Sequence, residues 1–248
     1  MIIIKSDREI DIMREAAKVT GEILRELSDY IEPGMTTHDV NAFVESKIDH
    51  YKMKPTFKGY GGFPAAACVS VNEEIIHGIP SRKRVLKEGD IVTVDTGATY
   101  KGYASDAART YPVGNVSEEA QRIIDVTKES FFRGVEYARA GCRLHDIGHA
   151  IQEYAESEGM GVIRDYTGHG VGRNLHEDPA IPNYGQAGTG VKLKKGMVLA
   201  IEPMLALGTY ECRTLANEWT VVTLDGKLSA HYENTVVITD GEPELLTL

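Results

Sequence analysis

The sequence predicts an α+β fold made of two similar halves, with helices covering one face of a mostly antiparallel sheet. Three observations carry this. Long stretches with helical apolar spacing are interleaved with short apolar or alternating runs that read as strands. A segment recurs: Leu86-Lys-Glu-Gly-Asp-Ile-Val-Thr-Val-Asp95 matches Leu193-Lys-Lys-Gly-Met-Val-Leu-Ala-Ile-Glu202, 107 positions further on. The same offset carries Gly34 onto Gly141, His38-Asp39-Val40 onto His145-Asp146-Ile147, and Val19-Thr20 onto Val126-Thr127. The expected organisation is one domain over residues 1–248, with pseudo-symmetric halves of about 6–112 and 113–240.

The elements follow in order. Ser6 and Glu9 form a capping box, each side chain serving the other's free amide. Ile10, Met13, Ala17, Leu24, Leu27 and Ile31 then keep helical spacing until Pro33-Gly34 stops the helix. Thr37 is expected to cap a second helix bearing Val40, Phe43, Val44 and Ile48. Strands are expected at Cys68 to Val71, Ile91 to Asp95 and Tyr103 to Thr110. Helices are expected from Ser117 to about Ala138 and from Leu144 to Ser157, the latter ended by Gly159. Strands return at Val198 to Ile201, Trp219 to Leu224 and Leu228 to Ile238, with Asp225-Gly226 as a hairpin turn.

Composition excludes several classes. The 248 residues carry 27 Lys plus Arg against 37 Asp plus Glu, a net charge of −10, which disfavours a nucleic-acid surface or an anionic-membrane patch. Cys68, Cys142 and Cys212 are too few and too scattered for a disulfide framework or a zinc knuckle. The apolar start Met1-Ile2-Ile3-Ile4 is too short for a secretion signal, and no apolar run reaches the ~18 residues of a membrane span. A reduced, cytoplasmic compartment is expected.

Acids and histidines stand out as candidates for chemistry. Asp95 ends the buried run Ile91-Val92-Thr93-Val94, where a carboxylate costs several kcal/mol unless a cation or good hydrogen bonds compensate it. It either caps the turn before Gly97 or binds a cation. Its repeat mate Glu202 follows Val198-Leu199-Ala200-Ile201 in the same way, so each half delivers a carboxylate to the pseudo-axis, and that favours a shared metal. Asp106 lies eleven positions beyond Asp95 across a turn at 99–102, close enough for both acids to face one point. Glu233, after the Asp225-Gly226 turn, is either a plain exposed strand residue or a ligand, and His169 in Gly168-His-Gly-Val-Gly172, where glycines permit close approach, is either a solvated or hydrogen-bonded loop residue or a ligand. His77, at a strand-to-turn transition, is equally open to either reading, and His176-Glu177 lacks the second His of a zincin helix. Neither a phosphate cradle, a zincin helix nor a Gly-x-Ser-x-Gly elbow is present.

Taken together, Val-Ser-Val-Asn-Glu-Glu-Ile-Ile-His-Gly-Ile-Pro (69–80), the Asp95/Asp106 pair, Gly-His-Gly-Val-Gly (168–172), His-Glu-Asp-Pro (176–179), Ala-Ile-Glu-Pro-Met (200–204) and Tyr-Glu-Asn-Thr (232–235) resemble the type I methionine aminopeptidases from Lys5 to Ile238. The resemblance implies the duplicated pita-bread fold and a dinuclear centre of two divalent ions held by Asp95, Asp106, His169, Glu202 and Glu233. Four carboxylates and one imidazole suit Mn, Fe, Co or Zn, and such ions acidify a shared water towards a pKa of about 7 while polarising the scissile carbonyl. It further implies that Glu202 handles protons and that His77 and His176 hydrogen-bond the peptide and the tetrahedral intermediate. Phe57, Tyr60, Phe63, Cys68, Leu175 and Trp219 map onto the family's methionine pocket, whose fine shape depends on the variable positions 57 and 175. The implied reaction is removal of an N-terminal methionine before a small, uncharged second residue.

By the same resemblance the substrates are nascent polypeptide N-termini after deformylation, met at the ribosome. The enzyme is expected to be a monomer with no direct nucleic-acid or membrane contact. Only 26 positions separate His176 from Glu202, too few for the type II insertion, and the first helix starts near Ser6, so the short bacterial form is expected. Two rivals remain: an Xaa-Pro peptidase of the same fold, and a metal-free binding module. The ligand set and both histidines argue against the second.

Overall fold

The computed structural model describes all 248 residues. Helix α1 spans Asp7–Tyr30, and the Ser6 amide donates to Glu9 Oε2 at 2.9 Å as the capping box requires. Helix α2 spans Thr37–His50, but its cap is Thr36 rather than Thr37. Asp39, three residues on, closes a box with Thr36: Asp39 N–H donates to Thr36 Oγ1 at 3.2 Å, and Thr36 N–H donates to Asp39 Oδ2 at 2.8 Å. The Thr37 hydroxyl instead accepts from Ser81 N–H. Helix α3 spans Glu118–Val135, capped by the Ser117 hydroxyl. It ends short of Ala138 because the amides of Tyr137 and Ala138 turn back to the third carbonyl behind them, tightening the chain out of the α-helix. Helix α4 spans Leu144–Ser157.

Each repeated strand lies between two antiparallel neighbours, in a three-strand sheet in the first half and a five-strand sheet in the second. In the first half Ile91–Thr96 lies between Ala67–Val71 and Ala107–Pro112. In the second, Val198–Ile201 lies between Gly168–Gly170 and Asn234–Val237. The repeat is visible bond by bond. Gly34 N–H donates to Leu86 O at 2.8 Å, and Gly141 N–H to Leu193 O at 3.0 Å; Leu86 and Leu193 return the bond to Met35 and Cys142. Isolated bridges join Thr36 to Val85 and Arg143 to Lys192, again 107 positions apart.

Strand alternation then separates helix side from site side. Val92 and Val94 pack with Val69 and Val71 beneath Leu24 and Leu27 of α1 and Val40 and Val44 of α2. Leu199, Ile201 and Val236 pack beneath Phe131 of α3 and Ile147 and Ile151 of α4. Thr93 and Asp95 are left on the opposite face, where Thr93 pairs with Thr110 across the strands at 2.8 Å.

Three expected strands are cut short. Tyr103 to Thr110 breaks at Ser105-Asp106, and Leu228 to Ile238 breaks at Tyr232-Glu233. At both breaks the chain is captured from the other half: the Thr235 hydroxyl holds the Asp106 backbone, and Glu233 N–H donates to Ala108 O at 3.0 Å. Trp219 to Leu224 shrinks to Val221–Thr223 because the Asn217 side chain takes the amides of Trp219 and Thr220. The Asp225-Gly226 turn forms, yet no hairpin ladder crosses it. Residues Asn72 and Glu73 accept the amides of Ser229 and Thr223, and the two flanking strands join different partners. No helix is long and apolar enough to cross a membrane.

Candidate active site

Asp95 stands near the end of Ile91–Thr96 with Cys68 and Ala108 as its register partners, small neighbours that leave space over its carboxyl. Asp106 sits at a strand break, its N–H donating to Thr235 Oγ1 at 3.0 Å and its carbonyl accepting from the same hydroxyl at 2.7 Å. Glu233 sits at the equivalent break, its carbonyl accepting from the Arg109 guanidinium. Glu202 follows the repeated strand, with its carbonyl accepting from Asn183 Nδ2 at 2.9 Å.

His169 lies between two glycines that must be glycine: a Cβ on Gly168 would come 2.3 Å from Ala200 O, and one on Gly170 would come 2.3 Å from Asp178 O. Its Nδ1 lies 2.9 Å from the Gly170 carbonyl, which assigns the proton to Nδ1 and leaves the Nε2 lone pair free. That lone pair faces acids, with Asp106 Oδ2 at 3.4 Å and Glu202 Oε1 at 3.5 Å. One ligand atom each from Asp106, His169 and Glu233 fall within 4.8 Å of one another.

The electrostatics of this cluster call for a cation. Asp95, Asp106 and Glu233 are buried, and Asp95 Oδ1, Asp106 Oδ1 and Glu233 Oε1 have no hydrogen-bond partner. Burial pushes all four carboxyls well above the usual carboxylate range, and repulsion from Asp106 adds to this at Asp95, Glu202 and Glu233. Four crowded acids, three of them with bare oxygens, and one correctly tautomerised imidazole fit a pair of divalent ions, which would satisfy the oxygens and cancel the repulsion.

The two further histidines flank the acids. His176 Nδ1 is 2.8 Å from the Tyr60 hydroxyl, and its ring lies 4.2 Å from that of His169. His77 has a left-handed backbone (φ 59°), a strained setting that fixes where its ring points. Burial lowers both rings to about 4, so each is a neutral imidazole at neutral pH. Beside them Phe57, Phe63, Cys68 and Leu175 form a buried apolar cluster, with Trp219 against it and set edge-on to Phe63 at 5.1 Å. Burial raises the Cys68 thiol, which stays protonated. Tyr60 is more exposed and stands at the rim.

A single cavity is lined by 14 residues: the thirteen singled out in the sequence and Gly61. One residue that the sequence reading passed over also reaches the acids. His231 is buried, with Nε2 3.5 Å from Glu202 Oε2 and 3.9 Å from Glu233 Oε2. The only signal for it was its place two positions before Glu233.

Comparison with known proteins agrees with this geometry. Metallopeptidase family M24 matches residues 11–240. A methionine aminopeptidase of Clostridium acetobutylicum is 60% identical over all of this chain and 99% of its own length. The crystal structure of the methionine aminopeptidase of Thermotoga maritima superposes with a TM-score of 0.98 at 50% identity, covering 100% of this chain and 99% of that one. An Xaa-Pro dipeptidase of Bacillus anthracis shares the fold at TM-score 0.80 and 27% identity, with this chain covering 61% of it.

Proposed function

The chain belongs to metallopeptidase family M24, among its methionine aminopeptidases, and on that premise we propose how the cavity releases an N-terminal methionine. The observation that carries the reading is the junction in one cavity of a four-carboxylate, one-imidazole centre with an apolar cluster sized by Phe57, Phe63, Leu175 and Trp219. Identity to methionine aminopeptidases well above that to the Xaa-Pro dipeptidase disfavours the Xaa-Pro rival.

Asp95, Asp106, His169, Glu202 and Glu233 would hold two divalent ions, with Mn, Fe, Co and Zn all compatible with these donors. Bound there, the ions supply Lewis acidity to the scissile carbonyl and lower the pKa of a water towards ~7. The methionine side chain lies against Phe57, Phe63 and Trp219, where a thioether finds aromatic contacts, with the Cys68 thiol at the base. The substrate's free ammonium lies beside the acids. His77 and His176, neutral at working pH, donate N–H to the peptide carbonyl and to the oxyanion that develops from it. Tyr60 engages His176 Nδ1, leaving its other ring nitrogen for the substrate. Glu202, beside the attacking water, takes its proton and returns it to the leaving amine.

Only small second residues (Gly, Ala, Ser, Thr, Cys, Pro or Val) are accepted. The substrates are nascent chains after deformylation, reached at the ribosome in the cytoplasm by a monomeric enzyme. The net charge of −10 supports an encounter with the peptide rather than with RNA. Assays of Met-Ala-Ser and Ala-Pro peptides, with and without chelator, test the reading. Chelator-sensitive release of methionine from the first alone is expected; cleavage of Ala-Pro, or activity indifferent to chelator, overturns it. A formyl-Met peptide is expected to resist.

A further inference from the structure

His231 is held from two sides before its ring is considered. Its strand, Ser229–His231, pairs with Met204–Ala206, the residues just after Glu202, with His231 opposite Met204. From the other half, the Thr110 hydroxyl accepts from His231 N–H at 3.0 Å and also lies 3.0 Å from its carbonyl. Yet neither ring nitrogen of this buried imidazole has a hydrogen-bond partner. The polar atoms that Nε2 faces are two carboxylate oxygens, Glu202 Oε2 at 3.5 Å and Glu233 Oε2 at 3.9 Å. With ions bound, Glu202 and Glu233 are ionised and can only accept, so an imidazole nitrogen aimed at both carries the ring proton.

We propose that His231 is a positioning residue for the reaction, its Nε2–H holding the outer oxygens of Glu202 and Glu233 while their inner oxygens face the metal centre. The two oxygens of Glu202 then have distinct roles. Oε1 lies 3.5 Å from the unprotonated Nε2 of His169, the nitrogen that also faces Asp106, on the ligand side. Oε2 is fixed by a donor on the far side. Without that donor the carboxylate is free to turn, and both metal capture and proton handling lose their geometry. The inference rests on the metal-centre reading above.

The test compares His231→Gln, which keeps a side-chain N–H, with His231→Leu, which keeps bulk alone. Co(II) affinity by calorimetry and the visible spectrum of the Co(II) protein are read beside kcat, after circular dichroism confirms folding. The Leu variant is expected to lose roughly 10–100-fold in Co(II) affinity and kcat, and the Gln variant to stay within about threefold, as for loss and replacement of an orienting partner. Gln falling as far as Leu, or shifting the Co(II) bands, makes His231 a ligand and overturns the proposal. So does a folded Leu variant with wild-type affinity and kcat. If Leu does not fold, the Gln result alone decides. Failure of wild-type protein to bind Co(II) would refute the metal centre itself, a separate result.

Discussion

Asp106 and His169 come from opposite halves of the chain, yet Asp106 Oδ2 lies 3.4 Å from His169 Nε2. No single half contains the centre. The strand break that exposes Asp106 is held open by Thr235, and the break that exposes Glu233 is held by Ala108, so each half shapes the other's acid. Metal binding and the packing of the halves are therefore coupled, and the ligand set can be probed through both.

Asp95→Asn and Glu202→Gln should abolish turnover and weaken metal binding while the metal-free protein keeps its fold. Each change deletes one of several crowded buried charges, a deletion that relieves repulsion in the absence of metal. Thermal unfolding of the metal-free variants at pH 8 should match or exceed wild type. Near-normal kcat with bound metal in either variant would remove that residue from the centre.

His77→Ala and His176→Ala should retain metal near wild type and lose roughly 10²–10³ in kcat, the usual effect of removing one donor to a developing oxyanion. KM should change little, because the bond strengthens only as charge develops. If activity instead returns with excess Mn(II) or Co(II), the histidine belongs in the coordination sphere.

Gly34 and Gly141 offer a test of the duplication that leaves the cavity alone. Both have left-handed backbones, φ 95° and 101°, and a Cβ at either would meet nothing within 4 Å. Alanine at each position therefore costs backbone strain alone, about 1–2 kcal/mol. That lowers Tm by roughly 2–8 °C in a domain of this size. Similar losses at both sites, with unchanged kcat, are expected; a loss at only one would mean that the two turns are not energetically equivalent.

The sequence disclosed what is local or repeated. Ser6-x-x-Glu9 marks a helix start by itself, and the 107-residue offset aligns Asp95 with Glu202 without any structure. It did not disclose competition between distant partners. Thr37 lost the cap to Thr36 because Asp39 completes a box with the latter. The Asp225-Gly226 turn lost its ladder to Asn72 and Glu73, about 150 residues away in the chain. The strand breaks at Asp106 and Glu233 depend on contacts from the other half in the same way. His231 was missed for a related reason: an isolated strand histidine gains meaning only when Glu202, from another strand, is seen to face it.

The pH dependence of stability should report metal and protons competing for the same oxygens. In metal-free protein the carboxyls of Asp95, Asp106, Glu202 and Glu233 hold protons more tightly than in the unfolded chain, mainly because they are buried. Their contribution to stability is fully present below the unfolded carboxylate pKa of ~4 and is lost as pH rises through the folded values. Divalent ions bind the deprotonated groups and replace the protons, so they restore most stability where most protons have been lost. The buried histidines act oppositely: His77, His169, His176 and His231, lowered to about 4, 4, 4 and 3 by burial, cost stability as pH falls below the unfolded value of ~6.5. That cost arises from protonation of the unfolded chain, so at pH 6 and above it affects metal-free and metal-loaded protein alike and cancels in their difference. The rise in Tm on adding saturating Mn(II) should consequently be larger at pH 8 than at pH 6, and calorimetry should show proton release on binding. An equal rise at both pH values, with no protons released, would mean that the four acids are already ionised without metal.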